Sequence, residues 1–148
     1  MTGKPEWNRV LFVWNGKSGK ATERAQLDDA IAALARRGLE VEHCEPDTVD
    51  DVARAAGEAS PRTLIVAAGG DGTVHAVVQG LAVRSGRANG AERPTLGIIP
   101  MGTANDFVRS LGIPLDPVEA VAFLERGVTR AVDVVHVSVD GRRQWMIN

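Results

Sequence analysis

The chain has 148 residues, 44% of them hydrophobic and 24% charged, with a formal net charge of −2 and a single cysteine, Cys44. That length suits one domain with a substantial core, the near-neutral charge excludes a general affinity for nucleic acid, and the lone cysteine excludes an internal disulfide and fits a reducing compartment. Residues 1–6 lack the apolar stretch of a signal peptide and no apolar run nears the roughly 20 residues that cross a bilayer, so a soluble, cytoplasmic protein is expected.

Residues 9–15 carry Val10, Leu11, Phe12 and Val13 in one run and predict a buried strand. The loop Asn15-Gly16-Lys17-Ser18-Gly19-Lys20 is built of turn formers. Residues 21–37 predict a helix with Leu27, Ala30, Ile31 and Leu34 on its core stripe, stopped at Gly38. A strand over 39–43 alternates Leu39 and Val41 with Glu40 and Glu42. Asp47 or Thr48 caps a helix that runs to about residue 60, before Pro61. Residues 63–68 predict a buried strand, and Val74, Val77, Val78 and Leu81 mark one face of a helix over 73–83. Residues 85–94 read as a loop, 95–99 as a strand, and 100–103 as a loop after it. A short helix over 105–111 ends at Gly112 and Pro114; a further one opens on Asp116-Pro117 and closes at Gly127. Two strands, 131–139 and 142–147, flank Asp140-Gly141, a dipeptide that favours a tight hairpin.

Strands alternating with helices imply a parallel sheet covered on both faces, a three-layer Rossmann-like α/β fold. On such sheets ligands sit beyond the carboxyl ends of the strands, so the loops 15–20, 69–73 and 100–103 are expected to meet at one edge. The most informative is Gly69-Gly70-Asp71-Gly72-Thr73. Glycine lets the backbone take positive φ and lets a ligand come close. A helix start adds unpaired N–H groups and the positive end of a dipole. This suits a phosphate, and Asp71 is placed to hold a magnesium ion that the phosphates share; the plain alternative is a glycine turn with a helix cap. Two well-known phosphate motifs are excluded: Lys20 is followed by Ala21 where a P-loop needs Ser or Thr, and His75 stands where the dinucleotide fingerprint needs its third glycine. In Pro100-Met101-Gly102-Thr103-Ala104-Asn105-Asp106-Phe107, Thr103 can bond a phosphate oxygen. Asn105 and Asp106 stand where caps belong; otherwise Asp106 orients a substrate hydroxyl or joins Asp71 around a metal. The loop 15–20 either holds phosphate or adenine edges or is an ordinary loop. His43, His75 and His136 show no metal-ligand spacing with each other or with Cys44, and Trp7, Trp14 and Trp145 read as packing.

Taken in order, Asn15-Gly16-Lys17-Ser18-Gly19, Gly69-Gly70-Asp71-Gly72-Thr73 and Gly97-Ile98-Ile99-Pro100-Met101-Gly102-Thr103-Ala104-Asn105-Asp106-Phe107-Val108-Arg109 resemble the diacylglycerol kinase catalytic domain family. That family includes bacterial lipid kinases and sphingosine kinases and is distantly related to NAD kinases and phosphofructokinases. The resemblance runs over about 9–148, and the third block points to the lipid-kinase branch. It implies that Asn15, Ser18, Gly19 and Thr48 lie along ATP, that Gly70, Asp71, Gly72 and Thr73 hold its phosphates with Asp71 near Mg²⁺, that Thr103 touches nucleotide, and that Asp106 sits by the transferred phosphate. Two residues depart from the pattern: Gly16 stands where proline is common, and Ala76 where many members carry an acid.

The resemblance also implies a division into a tail (1–8), a nucleotide-binding domain (9–130) and a hairpin (131–148) opening a β-rich second lobe that supplies a carboxylate base and much of the lipid pocket. The chain is then an abridged form or a truncated gene product, with weak turnover by itself. The expected activity is ATP-dependent transfer of the γ-phosphate to a lipid hydroxyl such as that of diacylglycerol, in phospholipid biosynthesis. ATP and Mg²⁺ are the cofactors implied, and the partners are a lipid substrate, a membrane surface met peripherally, and a second copy through unpaired strand edges. The alternatives are an NAD kinase-like phosphotransferase and a non-catalytic nucleotide-binding or assembly module.

Overall fold

A computed structural model describes residues 7–15, 21–87 and 95–147. The elements in order are β1 (Arg9–Trp14), α1 (Ala21–Ala35), β2 (Glu40–Cys44), α2 (Val49–Glu58), β3 (Thr63–Gly69), α3 (Asp71–Arg87), β4 (Thr95–Pro100), α4 (Asp106–Leu111), α5 (Pro117–Glu125), β5 (Val135–Val139) and β6 (Arg142–Met146). β1 to β4 form one parallel sheet in the order β2-β1-β3-β4.

The two-residue period of each strand divides the core between the faces of this sheet. Val10, Phe12, Trp14, Leu64, Val66, Ala68 and Ile99 face one way and pack on Leu27, Ala30 and Leu34 of α1 and Val121 of α5. Val13, Ile65, Ala67 and Ile98 face the other way, toward Val52 and Ala56 of α2, Val74 and Val77 of α3 and Val108 of α4. The fold is therefore the expected α/β arrangement of a parallel sheet between two helical layers. Central β3 is buried along Thr63 to Ala68, whereas edge strand β2 exposes Glu40 and Glu42. Arg9 pairs with both, at 2.6 and 3.4 Å. A charged edge of this kind discourages further strand pairing on that side. Ala76 of α3 is buried in the second core.

Several boundaries differ from the sequence expectation. α3 begins at Asp71, inside the glycine block, because the Gly70 carbonyl accepts the N–H groups of Thr73 and Val74, both at 3.1 Å. It continues to Arg87, through residues expected to be loop. β5 begins four residues later than expected, since residues 131–134 have no ladder partner among the described residues. The turn between β5 and β6 is as expected: Asp140 and Gly141 both have positive φ, 49° and 76°, which is the type I′ geometry that matches strand twist. Among the described residues no helix is long and apolar enough to cross a membrane.

Candidate functional site

The chain leaves β1 toward β2 on one side and returns through α2 to β3 on the other, so the strand order reverses between β1 and β3. A crevice opens beyond the carboxyl ends of the strands at such a point. Asn15 follows β1 there, half-buried, and Gly69 ends β3 beside it, with Gly70 next. Ser18 and Gly19 lie outside the described residues.

The glycine block is shaped by contact more than by unusual dihedrals. Gly69, Gly70 and Gly72 do not have positive φ, contrary to the expectation that such freedom is their use. A Cβ on Gly69 would stand 2.5 Å from Thr73 Oγ1, and one on Gly70 would stand 3.1 Å from Gly102 Cα. The two loops thus touch backbone to backbone, and the Met101 N–H donates to the Gly69 carbonyl at 3.0 Å across the same junction. Gly72 is different. It is exposed, and a Cβ there would meet nothing within 4 Å among the described residues. The first acceptor of α3 is the Gly70 carbonyl, so the Asp71 and Gly72 N–H groups emerge from the helix end with no intrahelical partner. Thr73 is buried, its side chain packed against Gly69.

The loop after β4 is held to the same corner by Asn105 and Asp71. Asn105 is 7% exposed and takes a left-handed conformation, φ 52°. Its Nδ2 donates to the Gly102 carbonyl at 2.8 Å, and its Oδ1 is buried with no partner among the described residues. The expected cap of α4 by its own residues does not form. Asp71 supplies the cap from across the sheet edge: its carboxylate accepts the N–H groups of Asp106 at 3.3 Å and Phe107 at 3.4 Å. Arg109 Nε donates to the Ala104 carbonyl at 3.1 Å and braces the loop from behind. Thr103 and Asp106 are exposed at this rim. Gly102, Asn105 and Arg109 are structural members of the site that reading Thr103 and Asp106 alone misses. The available signal is the Asn-Asp pair after a glycine loop, since asparagine tolerates the left-handed region.

The Asp71 carboxylate and the backbone of Asp106 therefore meet at one corner. Among the described residues no group of three or more His, Cys, Asp or Glu side chains can hold a metal. Magnesium fits such a corner because it is commonly bound by one or two carboxylates, with phosphate oxygens and water completing its shell. Asp71 is suited to binding it, since its two hydrogen bonds are long and each oxygen keeps a further lone pair.

Thr48 lies on the loop after β2, at the same edge of the sheet, and caps α2. Its hydroxyl accepts from Asp51 N–H at 3.1 Å and donates to Asp51 Oδ2 at 2.7 Å. That hydrogen bond, ahead of the charge of Arg54, holds the Asp51 carboxyl below its ordinary range. Thr48→Ala is expected to lower stability by about 1 kcal/mol in urea unfolding. A loss of ATP affinity in the same variant would place Thr48 along the nucleotide as well. Cys44 is half-buried, which pushes its thiol pKa up and leaves it unreactive.

Residues 9–137 match the family model described as diacylglycerol kinase catalytic domain. A protein of Stenotrophomonas maltophilia (strain K279a) named probable lipid kinase YegS-like is 37% identical over 146 residues, which are 97% of this chain and 45% of that protein. A diacylglycerol kinase of Bacillus subtilis (strain 168) is 38% identical over 143 residues, 95% of this chain and 44% of the other. Among solved structures, a diacylglycerol kinase from Bacillus anthracis str. Sterne superposes with a TM-score of 0.76 at 32% identity, covering 95% of this chain and 49% of that one. The chain thus spans less than half the length of these relatives.

Proposed function

Because this chain belongs to the diacylglycerol kinase catalytic domain family, we propose that it forms the ATP-binding part of a lipid kinase, which transfers the γ-phosphate to the hydroxyl of diacylglycerol or a similar lipid. The observation that carries this reading is the backbone contact between Gly70 and Gly102. It sets the N–H groups of Asp71 and Gly72, which have no partner among the described residues, the open space over Gly72, and the residues Asp71 and Asp106 around one corner.

Phosphoryl transfer asks the protein mainly for alignment and charge neutralisation. The Asp71 and Gly72 N–H groups, at the positive end of α3, receive phosphate oxygens. The bare backbone at Gly72 lets them approach without a side chain between. Asp71, oriented by two N–H groups of α4, would hold magnesium, which when bound spreads the negative charge of the phosphates. Asp106 stands at the exposed side of the corner, where it orients the acceptor hydroxyl. Asn15 and Thr48 extend along the same sheet edge toward the nucleoside, with Thr103 on the opposite side. General-base help to the lipid hydroxyl is typically worth a further factor of about 10²–10⁴ in rate.

Calorimetry with ATP and Mg²⁺ tests the reading. Asp71→Asn keeps one acceptor for α4 and loses the charge, so affinity is expected to fall about tenfold, the equivalent of about 1.4 kcal/mol. Unchanged affinity would remove Asp71 from the metal site, and absence of binding by the unaltered chain would overturn the proposal. Assaying diacylglycerol beside NAD as phosphate acceptor separates the lipid-kinase reading from the NAD-kinase one.

A further inference from the structure

Gln79 stands on α3 eight residues beyond Asp71 and presents its side-chain amide to the backbone of β6. Its Oε1 accepts the Trp145 N–H at 2.9 Å, and its Nε2 donates to the Trp145 carbonyl at 2.5 Å. The remaining Nε2 hydrogen faces His75 Nε2 at 3.3 Å. The network thereby assigns the imidazole its hydrogen on Nδ1, with Nε2 accepting. A flipped amide would set donor against donor at Trp145 and acceptor against acceptor at its carbonyl. One orientation therefore satisfies all three contacts.

Gln79 does for β6 what a neighbouring strand would do. It answers both the N–H and the carbonyl of a residue whose main chain points away from β5. Little else among the described residues holds the hairpin. Val135, Val139 and Met146 are exposed, and Ile147 packs against the second core. An isolated two-stranded hairpin is marginal at best in water.

We propose that Gln79 is a clamp that fixes the β5–β6 hairpin to α3, and so to the phosphate corner at the head of the same helix. From Asp71 to Gln79 α3 rises about 12 Å along its axis as one rigid rod. On the function proposed above, the clamp then keeps the hairpin at a constant position relative to the bound γ-phosphate. That consequence rests on that reading; the clamp itself does not, and it is tested with no nucleotide present.

The test is residue-resolved amide hydrogen exchange on the whole chain. The Arg143 N–H points the same way as that of Trp145, two residues back along β6, and has no acceptor among the described residues. In the unaltered chain Trp145 is expected to exchange about 100-fold more slowly than Arg143 after correction for intrinsic rates. Gln79→Glu keeps the shape of the side chain but replaces its donor with an acceptor facing the Trp145 carbonyl. It is expected to speed Trp145 exchange about tenfold or more, with the amides of Ile65 and Val66 in β3 still protected. Gln79→Leu is expected to do the same. A role in packing alone would leave the isosteric variant unchanged. Trp145 exchanging as fast as Arg143 in the unaltered chain would overturn the clamp, and so would unchanged Trp145 protection in either folded variant. Should a variant lose protection in β3 as well, the Trp145-to-Arg143 ratio in the unaltered chain decides alone. Failure of ATP to bind leaves all these rates in place and counts only against the nucleotide reading.

Discussion

Gly72→Ala is expected to abolish measurable ATP binding while leaving the fold as stable as before, or more so. The added methyl enters open space, with no atom of the described residues within 4 Å, so none of them resists it. Gly72 also lacks the left-handed backbone that would make a side chain strained. Alanine is the better helix former by up to about 1 kcal/mol, equivalent to roughly 2–4 °C in melting temperature for a domain of this size. The space the methyl fills is the space through which phosphate oxygens would reach the Asp71 and Gly72 N–H groups. Calorimetry with MgATP is expected to show a loss of about 100-fold or more, close to 3 kcal/mol, beside an unchanged or raised unfolding midpoint. Wild-type affinity in this variant would show that the phosphates do not lie over Gly72 and would remove the main support for the proposed function.

Gly102→Ala is expected to damage fold and site together. Its Cβ would stand 2.4 Å from Gly70 Cα, 3.2 Å from Gly70 N and 2.9 Å from Asn105 Oδ1. Two of these atoms belong to backbone, so no rotamer change relieves the overlap and the loops must separate. Separation loosens the Met101 N–H bond to the Gly69 carbonyl and the Asn105 amide bond to the Gly102 carbonyl. It also draws α4 away from the Asp71 carboxylate. Overpacking of a close-packed site typically costs about 1–3 kcal/mol, and a backbone clash belongs at the upper end. The midpoint in urea is expected to fall accordingly, with ATP binding lost even where the protein remains folded. A variant with native stability would mean that the loops are not seated against each other. The two substitutions make a pair: the same methyl, one residue type, opposite consequences for stability, because one glycine faces solvent and the other faces a backbone.

Much of this arrangement is legible in local sequence. The runs Val10 to Val13 and Leu64 to Ala68 announce buried strands because both faces of a central parallel strand are covered, so nearly every side chain must be apolar. Asp116 before Pro117, with its carboxylate accepting from Val118 and Glu119, is a helix start readable from two letters, since capping is decided within one turn of chain. Asp140-Gly141 is legible for the same reason: a two-residue turn depends on its own dihedrals. The start of α3 lies two residues ahead of the sequence expectation because glycines read as a loop, while their carbonyl in fact opens the helix. The role of Asn105 is not legible either. Its position suggests a cap, but Asp71, far away in sequence, caps α4 in its place.

By itself, the sequence determined where strands and helices alternate, which family the three loop motifs resemble, and that an acid stands among glycines after a strand. These are matters of period, turn chemistry and residue type, each contained within a few neighbouring residues. The tertiary structure alone decided that Gly70 and Gly102 touch, that Asp71 serves a helix it does not belong to, that Gly72 is left bare, and that Gln79 takes hold of Trp145. Each of these joins residues about 30 or more positions apart, or depends on what does not come near. Such proximity is set by how the layers pack on the sheet, which no local pattern encodes.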